Sequence, residues 1–154
     1  MNTSLQDTSQ LLAKLGVTTL NPMQKHAIAA IHEKPEVVLL SPTGTGKTLA
    51  FMVPIIEQIN PDLAQIQALI LVPSRELAQQ IEQVVRALGA GFKANAIYGG
   101  RAGYQDKLDL KHPPALLIGT PGRVADHLRR GSFNTDAIQT IVLDEFDKSL
   151  EIGF

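Results

Sequence analysis

No cysteine and no tryptophan occur among the 154 residues, and only 5% of them are aromatic. The lack of cysteine excludes a disulfide framework and any thiolate metal site. Apolar runs such as residues 68–72 are short, far below the roughly 20 residues that a helix needs to cross a bilayer. Neither sign of charge is in excess, since 14 Lys and Arg stand against 15 Asp and Glu for a net charge of −1. A nucleic-acid partner must therefore be argued from local residues and not from a basic surface. Internal repeats, low-complexity tracts and an N-terminal stretch of signal-peptide type are missing as well. With 44% hydrophobic and 19% charged residues, the expectation is one soluble, cytoplasmic globular domain with no membrane partner.

What is present is a rhythm. Apolar runs at residues 37–40, 68–72, 94–98, 115–118 and 138–143 are each followed by a turn signal and then a helix-like segment. That order predicts βαβ units and a mostly parallel sheet with helices on both faces. Leu77, Ile81, Val84 and Leu88 recur at helical spacing and predict a stripe that packs on the sheet. Two further helices are expected before the first run. One holds Leu11, Leu12 and Leu15 and stops at Gly16; the other opens at Asn21-Pro22, a good N-cap and N1 pair, and carries Met23, Ala27 and Ile31. Phe51 and Met52 read as core. His26, His32, His112 and His127 show no ligand spacing, so no zinc site is expected, and His26 and His32 read as helix-surface residues.

Residues 41–48 read Ser41-Pro42-Thr43-Gly44-Thr45-Gly46-Lys47-Thr48, between an apolar run and a helical one. This is the phosphate-loop pattern with Ser41 in place of its first glycine. The chemistry requires small residues so that backbone N–H groups can close around phosphate oxygens at a helix N-terminus. Lys47 then reaches the terminal phosphates and the Thr48 hydroxyl coordinates Mg²⁺. About a hundred residues on, an apolar run stops at Asp144-Glu145-Phe146-Asp147. Asp144 stands at the carboxyl end of an expected strand, where ligands of open α/β sheets bind. In that place Asp144 suits Mg²⁺, and Glu145 suits orienting or deprotonating an attacking water.

Taken together, these segments resemble the first RecA-like domain of the DEAD-box RNA helicases over nearly the whole chain. Residues 41–48 are similar to their motif I and residues 73–80 to motif Ia. Gly99-Gly100 resembles the GG motif, Thr120-Pro121-Gly122-Arg123 motif Ib, and residues 144–147 motif II; Leu150 and Gly153-Phe154 also match. The resemblance implies an RNA-dependent ATPase that uses ATP and Mg²⁺, with Ser41, Thr43, Gly44, Thr45, Gly46, Lys47 and Thr48 around the nucleotide. It implies a catalytic set of Lys47, Asp144 and Glu145, magnesium at Thr48 and Asp144, and sequence-independent contacts to RNA through Arg75, Gly99, Gly100, Thr120, Gly122 and Arg123. Gln24, in a segment similar to the end of the Q motif, is implied to read adenine. By spacing alone, Asn21-x-x-Gln24 is also a capping box. No aromatic residue precedes Phe51, so selectivity for ATP over GTP is expected to be modest. Phe146 replaces the usual alanine of motif II, and a forced fit there is expected to cost about 1–3 kcal/mol.

The same resemblance implies that residues 1–35 form a Q-motif helical region and residues 36–154 a RecA-like α/β core that is incomplete at its C-terminus. The strand that couples hydrolysis to unwinding and the second RecA-like domain, with its arginine fingers, are expected to be missing. The sheet is then expected to show a gap or abnormal pairing between residues 37–40 and 138–143, with possible self-association. An arginine finger is worth a factor of about 10³ to 10⁵ in rate, so the chain alone is expected to hydrolyse ATP very slowly and to lack helicase activity. Two other functions compete: a different P-loop ATPase such as a DNA translocase, and a non-catalytic RNA- or protein-binding module.

Overall fold

The computed structural model describes residues 5–100 and 102–152; the match at Gly153-Phe154 lies outside them. The chain divides into two compact units, residues 1–58 and 59–154.

The first unit holds three helices, α1 (Leu5–Lys14), α2 (Pro22–Glu33) and α3 (Lys47–Gln58). Asn21 caps α2, with Pro22 in its first turn, as the sequence predicts. Glu57, near the end of α3, ties the other two helices to it. Its carboxylate accepts the Thr8 hydroxyl of α1 at 3.3 Å and meets His32 Nε2 of α2 at 2.9 Å. Leu12, Ala27, Ala50, Phe51, Met52 and Ile55 are buried, so Phe51 and Met52 are core residues.

Residues 37–40 form no strand, which corrects the expected first element. Val38 and Leu40 are 86% and 89% exposed. A strand is made by its ladder of hydrogen bonds, and an apolar run without a partner of matching register gains nothing from being extended.

The second unit is built on four parallel strands, β1 (Ala68–Leu71), β2 (Ala94–Ile97), β3 (Leu116–Gly119) and β4 (Thr140–Leu143), in the order β2-β3-β1-β4. Helices α4 (Arg75–Leu88), α5 (Gly103–Lys111) and α6 (Pro121–Arg129) link the strands, and α7 (Phe146–Ile152) follows β4. Leu116, Leu117 and Ile118 are consecutive and fully buried, so both faces of the central strand β3 are covered, as expected for a parallel sheet. The core cluster joins Ile66, Leu69, Ile97, Leu110, Leu117 and Val124.

The buried stripe of α4 is Ala78, Ile81, Val85 and Leu88, and not the predicted Leu77, Ile81, Val84 and Leu88. Leu77 and Val84 flank it, half-buried. Ala78, at the N-terminal end of the stripe, is fully buried, and the larger Leu77 and Val84 lie along its margin. Ser74 Oγ accepts the Leu77 N–H at 3.2 Å to cap α4, and Gly89 ends it in the left-handed conformation at φ 58°.

Register places the chemistry. Leu71 pairs with Gly119 on one side and Leu143 on the other, and Ile97 pairs with Gly119. All four strands therefore end at one level, so the segments bearing Arg75, Gly99 and Gly100, Thr120 to Arg123, and Asp144 and Glu145 all leave the carboxyl edge of one sheet.

Candidate active site

In the first unit the loop before α3 turns on Gly44 and Gly46, at φ 83° and 87°, values that L side chains rarely adopt. A Cβ on Gly44 would meet nothing within 4 Å, whereas one on Gly46 would lie 2.5 Å from Gln24 Nε2. Gly44 is thus required for its dihedral alone, and Gly46 also for space. Thr45 Oγ1 donates to the Pro42 carbonyl at 2.8 Å. Its one proton is then used, so at the 2.6 Å contact with Ser41 Oγ the serine donates. The hydroxyl of Ser41, which stands where the pattern has glycine, braces the loop. Lys47 Nζ donates to the Ser41 carbonyl at 2.5 Å, so the lysine spans the loop that precedes it. Thr43 is exposed and Thr48 half-buried.

Helix α2 grips this loop. The capping box is complete: Asn21 Oδ1 accepts the Gln24 N–H at 2.8 Å, and Gln24 Oε1 accepts the Asn21 N–H at 2.9 Å. The same two side chains reach outward through their nitrogens. Asn21 Nδ2 donates to the Thr45 carbonyl and Gln24 Nε2 to the Gly46 carbonyl, both at 3.0 Å. Gln24 is buried and retains one amide N–H and one oxygen lone pair, a donor and an acceptor side by side, which suit a purine edge. Sequence reasoning saw Asn21 only as a cap. The available signal was the choice of Asn, whose amide N–H₂ Asp lacks and the shorter Ser hydroxyl does not replace.

In the second unit the Asp144 N–H donates to the Leu71 carbonyl at 2.9 Å, extending the ladder one residue past β4. The chain then turns sharply. Glu145 takes φ 49°, the one positive φ among the described non-glycine residues, at a cost of about 1–2 kcal/mol. Its N–H donates to Asp144 Oδ1 at 3.0 Å, and its carbonyl accepts from Lys148 and Ser149 to open α7. Lys148 Nζ sits 3.0 Å from Glu145 Oε2, and that hydrogen bond, followed by the charge of Glu145, raises the pKa of the lysine. Phe146 is 45% exposed, which removes the expected packing strain, because the ring is not forced into the core.

Along the same sheet edge, Arg75 opens α4, is exposed, and pairs with Glu76 at 3.2 Å. The Glu76 backbone hydrogen bond, then Arg75, lower the pKa of Glu76. The Arg75 guanidinium borders Gly100, where a Cβ would meet Nη1 at 3.4 Å; Gly99 and Gly122 have open space around them. Thr120 is the N-cap residue of α6 by backbone, yet its hydroxyl makes no capping bond. Arg123 differs from Arg75, for its side chain is 17% exposed and Nε donates to Asp106 Oδ2 at 2.7 Å. Asp106 is fully buried and also meets His127 Nε2 at 3.3 Å, while His127 Nδ1 lies 3.0 Å from Ser132 Oγ. This anchor was missed, because an Asp among the charged residues of α5 reads as a solvated face.

The hydroxyl of Thr48 and the carboxylate of Asp144 are hard oxygen donors, the kind that suits Mg²⁺. Among the described residues no cluster of three His, Asp or Glu could hold a metal. Nor is any described helix long and apolar enough to cross a membrane.

The sequence pattern of the DEAD/DEAH box helicases matches residues 21–154. The chain belongs to this family. It is 40% identical over 147 residues to the ATP-dependent RNA helicase DbpA of Escherichia coli, covering 93% of this chain and 32% of that protein. It is 45% identical over 134 residues to eukaryotic initiation factor 4A-3 of Arabidopsis thaliana, covering 86% of this chain and 32% of the relative. Among solved structures it is similar to a DEAD box protein from the hyperthermophile Methanococcus jannaschii, with a TM-score of 0.88, 32% identity, and coverage of 99% of this chain and 42% of that one. The fold is thus the RecA-like one expected, and the chain spans about a third of the length of the curated relatives it matches, 32% in both cases.

Proposed function

We propose that this DEAD/DEAH box chain is the first ATP-binding domain of an ATP-dependent RNA helicase. In the whole protein it works with a second RecA-like domain to couple ATP hydrolysis to local unwinding or remodelling of RNA. The observation that carries this reading is the phosphate loop: two left-handed glycines lead into α3 with Lys47 at its first position. Such a turn presents successive N–H groups and a positive helix end to phosphate oxygens. That DbpA is an ATP-dependent RNA helicase supports ATP as the nucleotide and RNA as the partner.

In this reading Gln24 meets the adenine edge and residues 41–47 surround the phosphates. Lys47 leaves the Ser41 carbonyl for the terminal phosphates, exchanging a neutral acceptor for a charged one. Thr48, through its hydroxyl, and Asp144, through its carboxylate, are the residues that would hold Mg²⁺. When bound, Mg²⁺ supplies charge that neutralises the phosphoryl oxygens. Glu145 accepts the proton of the water that attacks the terminal phosphorus; the new P–O bond forms as the bond to the ADP oxygen breaks. Gly99, Gly100, Thr120 and Gly122 let an RNA backbone approach closely, and Arg75 supplies an exposed charge to it. Arg123 contributes at the same edge from its Asp106 anchor. Because these are phosphate and sugar contacts, binding is insensitive to base sequence. The place of β4 at one end of the sheet, with Ile141 and Leu143 62% and 50% exposed, supports self-association of the 154-residue chain.

ATPase assays of the full-length protein with single-stranded RNA, double-stranded RNA and DNA test the reading. Stimulation by RNA is the expected result. Stimulation by DNA alone would make the protein a DNA translocase, and no hydrolysis with any RNA would make it a binding module.

A further inference from the structure

We infer that Asn21 is a positioning residue for phosphate recognition, setting the direction of a backbone N–H in the loop through a bond to the opposite side of the same peptide. The inference rests on the nucleotide reading and adds a residue to it.

A trans peptide is planar, with its C=O and N–H on opposite sides. Whatever holds the carbonyl therefore aims the N–H. Asn21 Nδ2 holds the Thr45 carbonyl at 3.0 Å, which turns the Gly46 N–H away from α2. Gln24 Nε2 holds the Gly46 carbonyl at 3.0 Å, which turns the Lys47 N–H the same way. Among the described residues neither N–H is engaged by a backbone carbonyl. Two neighbouring peptides are thus oriented by two side-chain amides one helical turn apart on α2. The arrangement does a second thing, since it draws two carbonyl oxygens away from the side where an anion would be repelled by them.

Gly46 has the freedom that makes this orientation necessary. At φ 87° it sits in a region where glycine is mobile, and a loop of such residues pays an ordering cost when it closes on a ligand. Asn21 and Gln24 pay that cost in advance. They can do so because the capping box fixes both side chains first: Asn21 Oδ1 is held by the Gln24 N–H and Gln24 Oε1 by the N–H of the N-cap Asn21. An N-cap residue that only accepts would serve α2 equally well but leave the Thr45 carbonyl unheld.

Asn21→Ser in the full chain separates these functions. Serine keeps the capping oxygen but has no amide N–H to reach Thr45, and it adds no charge. Inorganic tripolyphosphate, ATP and adenosine serve as calorimetric probes. One neutral hydrogen bond is worth about 0.5–1.5 kcal/mol. The expected result is accordingly about 2- to 10-fold weaker binding of tripolyphosphate and ATP, with adenosine affinity and the melting temperature unchanged. Asn21→Ala should lower the melting temperature through the lost cap and weaken tripolyphosphate as much as Asn21→Ser does. Equal tripolyphosphate affinity in wild type and Asn21→Ser overturns the inference, as does an equal loss for adenosine. If wild type binds neither ATP nor tripolyphosphate, the nucleotide reading falls and the inference with it; if wild type and Asn21→Ser bind ATP alike, the inference alone falls.

Discussion

The phosphate loop and the acidic turn each follow a short apolar run, residues 37–40 in one case and β4 in the other, yet they are held by different means. The acidic turn is fixed from the sheet: Asp144 continues the ladder to Leu71, and Glu145 is bent to φ 49° by the start of α7. The phosphate loop has no ladder behind it, since residues 37–40 form no strand. Its shape comes from side chains instead, those of Asn21 and Gln24 on α2 and of Ser41, Thr45 and Lys47 within the loop. Sheet hydrogen bonds are shared among neighbours and hard to break singly. Side-chain bonds can be exchanged one at a time, as Lys47 must do if it leaves a carbonyl for a phosphate. In the proposed function, binding belongs to the loop and the hydrolytic step to the turn.

The sharpest way to break that division is Glu145→Gln in the full-length protein. Loss of a general base should lower kcat by about 10²- to 10⁴-fold with ATP affinity kept, as measured by steady-state hydrolysis and equilibrium binding of a fluorescent ATP analogue. An equal loss of binding would show that the turn also holds the nucleotide. Next in size is Lys47→Ala. A hydrogen bond to a charged group is worth about 1.5–3 kcal/mol, so ATP affinity should fall about 10- to 150-fold in the same binding assay. Gly46→Ala tests the loop's side-chain grip: with φ 87° and a Cβ 2.5 Å from Gln24 Nε2, it should cost about 1–3 kcal/mol in a urea unfolding series. Little change in stability would mean that Gln24 swings aside without cost.

The smallest effect concerns the turn. Glu145 raises the pKa of Lys148 above its ordinary 10.5. A group whose pKa is higher in the folded state contributes stability fully below its unfolded pKa and loses it as pH rises through the folded value. Lys148→Met should therefore be slightly less stable than wild type at pH 8, and the gap in urea midpoints should close above about pH 10.5. A gap that persists at higher pH would assign the effect to packing of the lysine stem.

Much of this was legible in the sequence because the signals were local. The glycine loop followed by Lys47, the N-cap Asn21 with Gln24 three residues on, and apolar runs ended by turn residues all depend on neighbours in the chain; three of the four strands lie within the runs that predicted them, and β3 runs one residue past its run, to Gly119. What was not legible depended on distant partners. Residues 37–40 have the apolar character of a strand but no ladder. The stripe on α4 turned on which face met the sheet, and that face includes the small Ala78. Asp106 looked like a surface charge in α5, and its burial beneath Arg123 and His127 is set by residues 17 and 21 positions away.

Sequence by itself determined the chemistry of this protein: which backbone positions are free to turn, which side chains can hold phosphate or a hard cation, and the order in which they come. Tertiary structure alone decided how those groups are aimed. It set the strand ends at one level, tied Arg123 down while leaving Arg75 exposed, and brought the side-chain amides of α2 onto the carbonyls of the phosphate loop. The physical reason is that a residue's chemistry belongs to its own atoms, whereas the direction of a hydrogen bond belongs to the pair, and the partners here lie up to 73 residues apart, as Leu71 and Asp144 do.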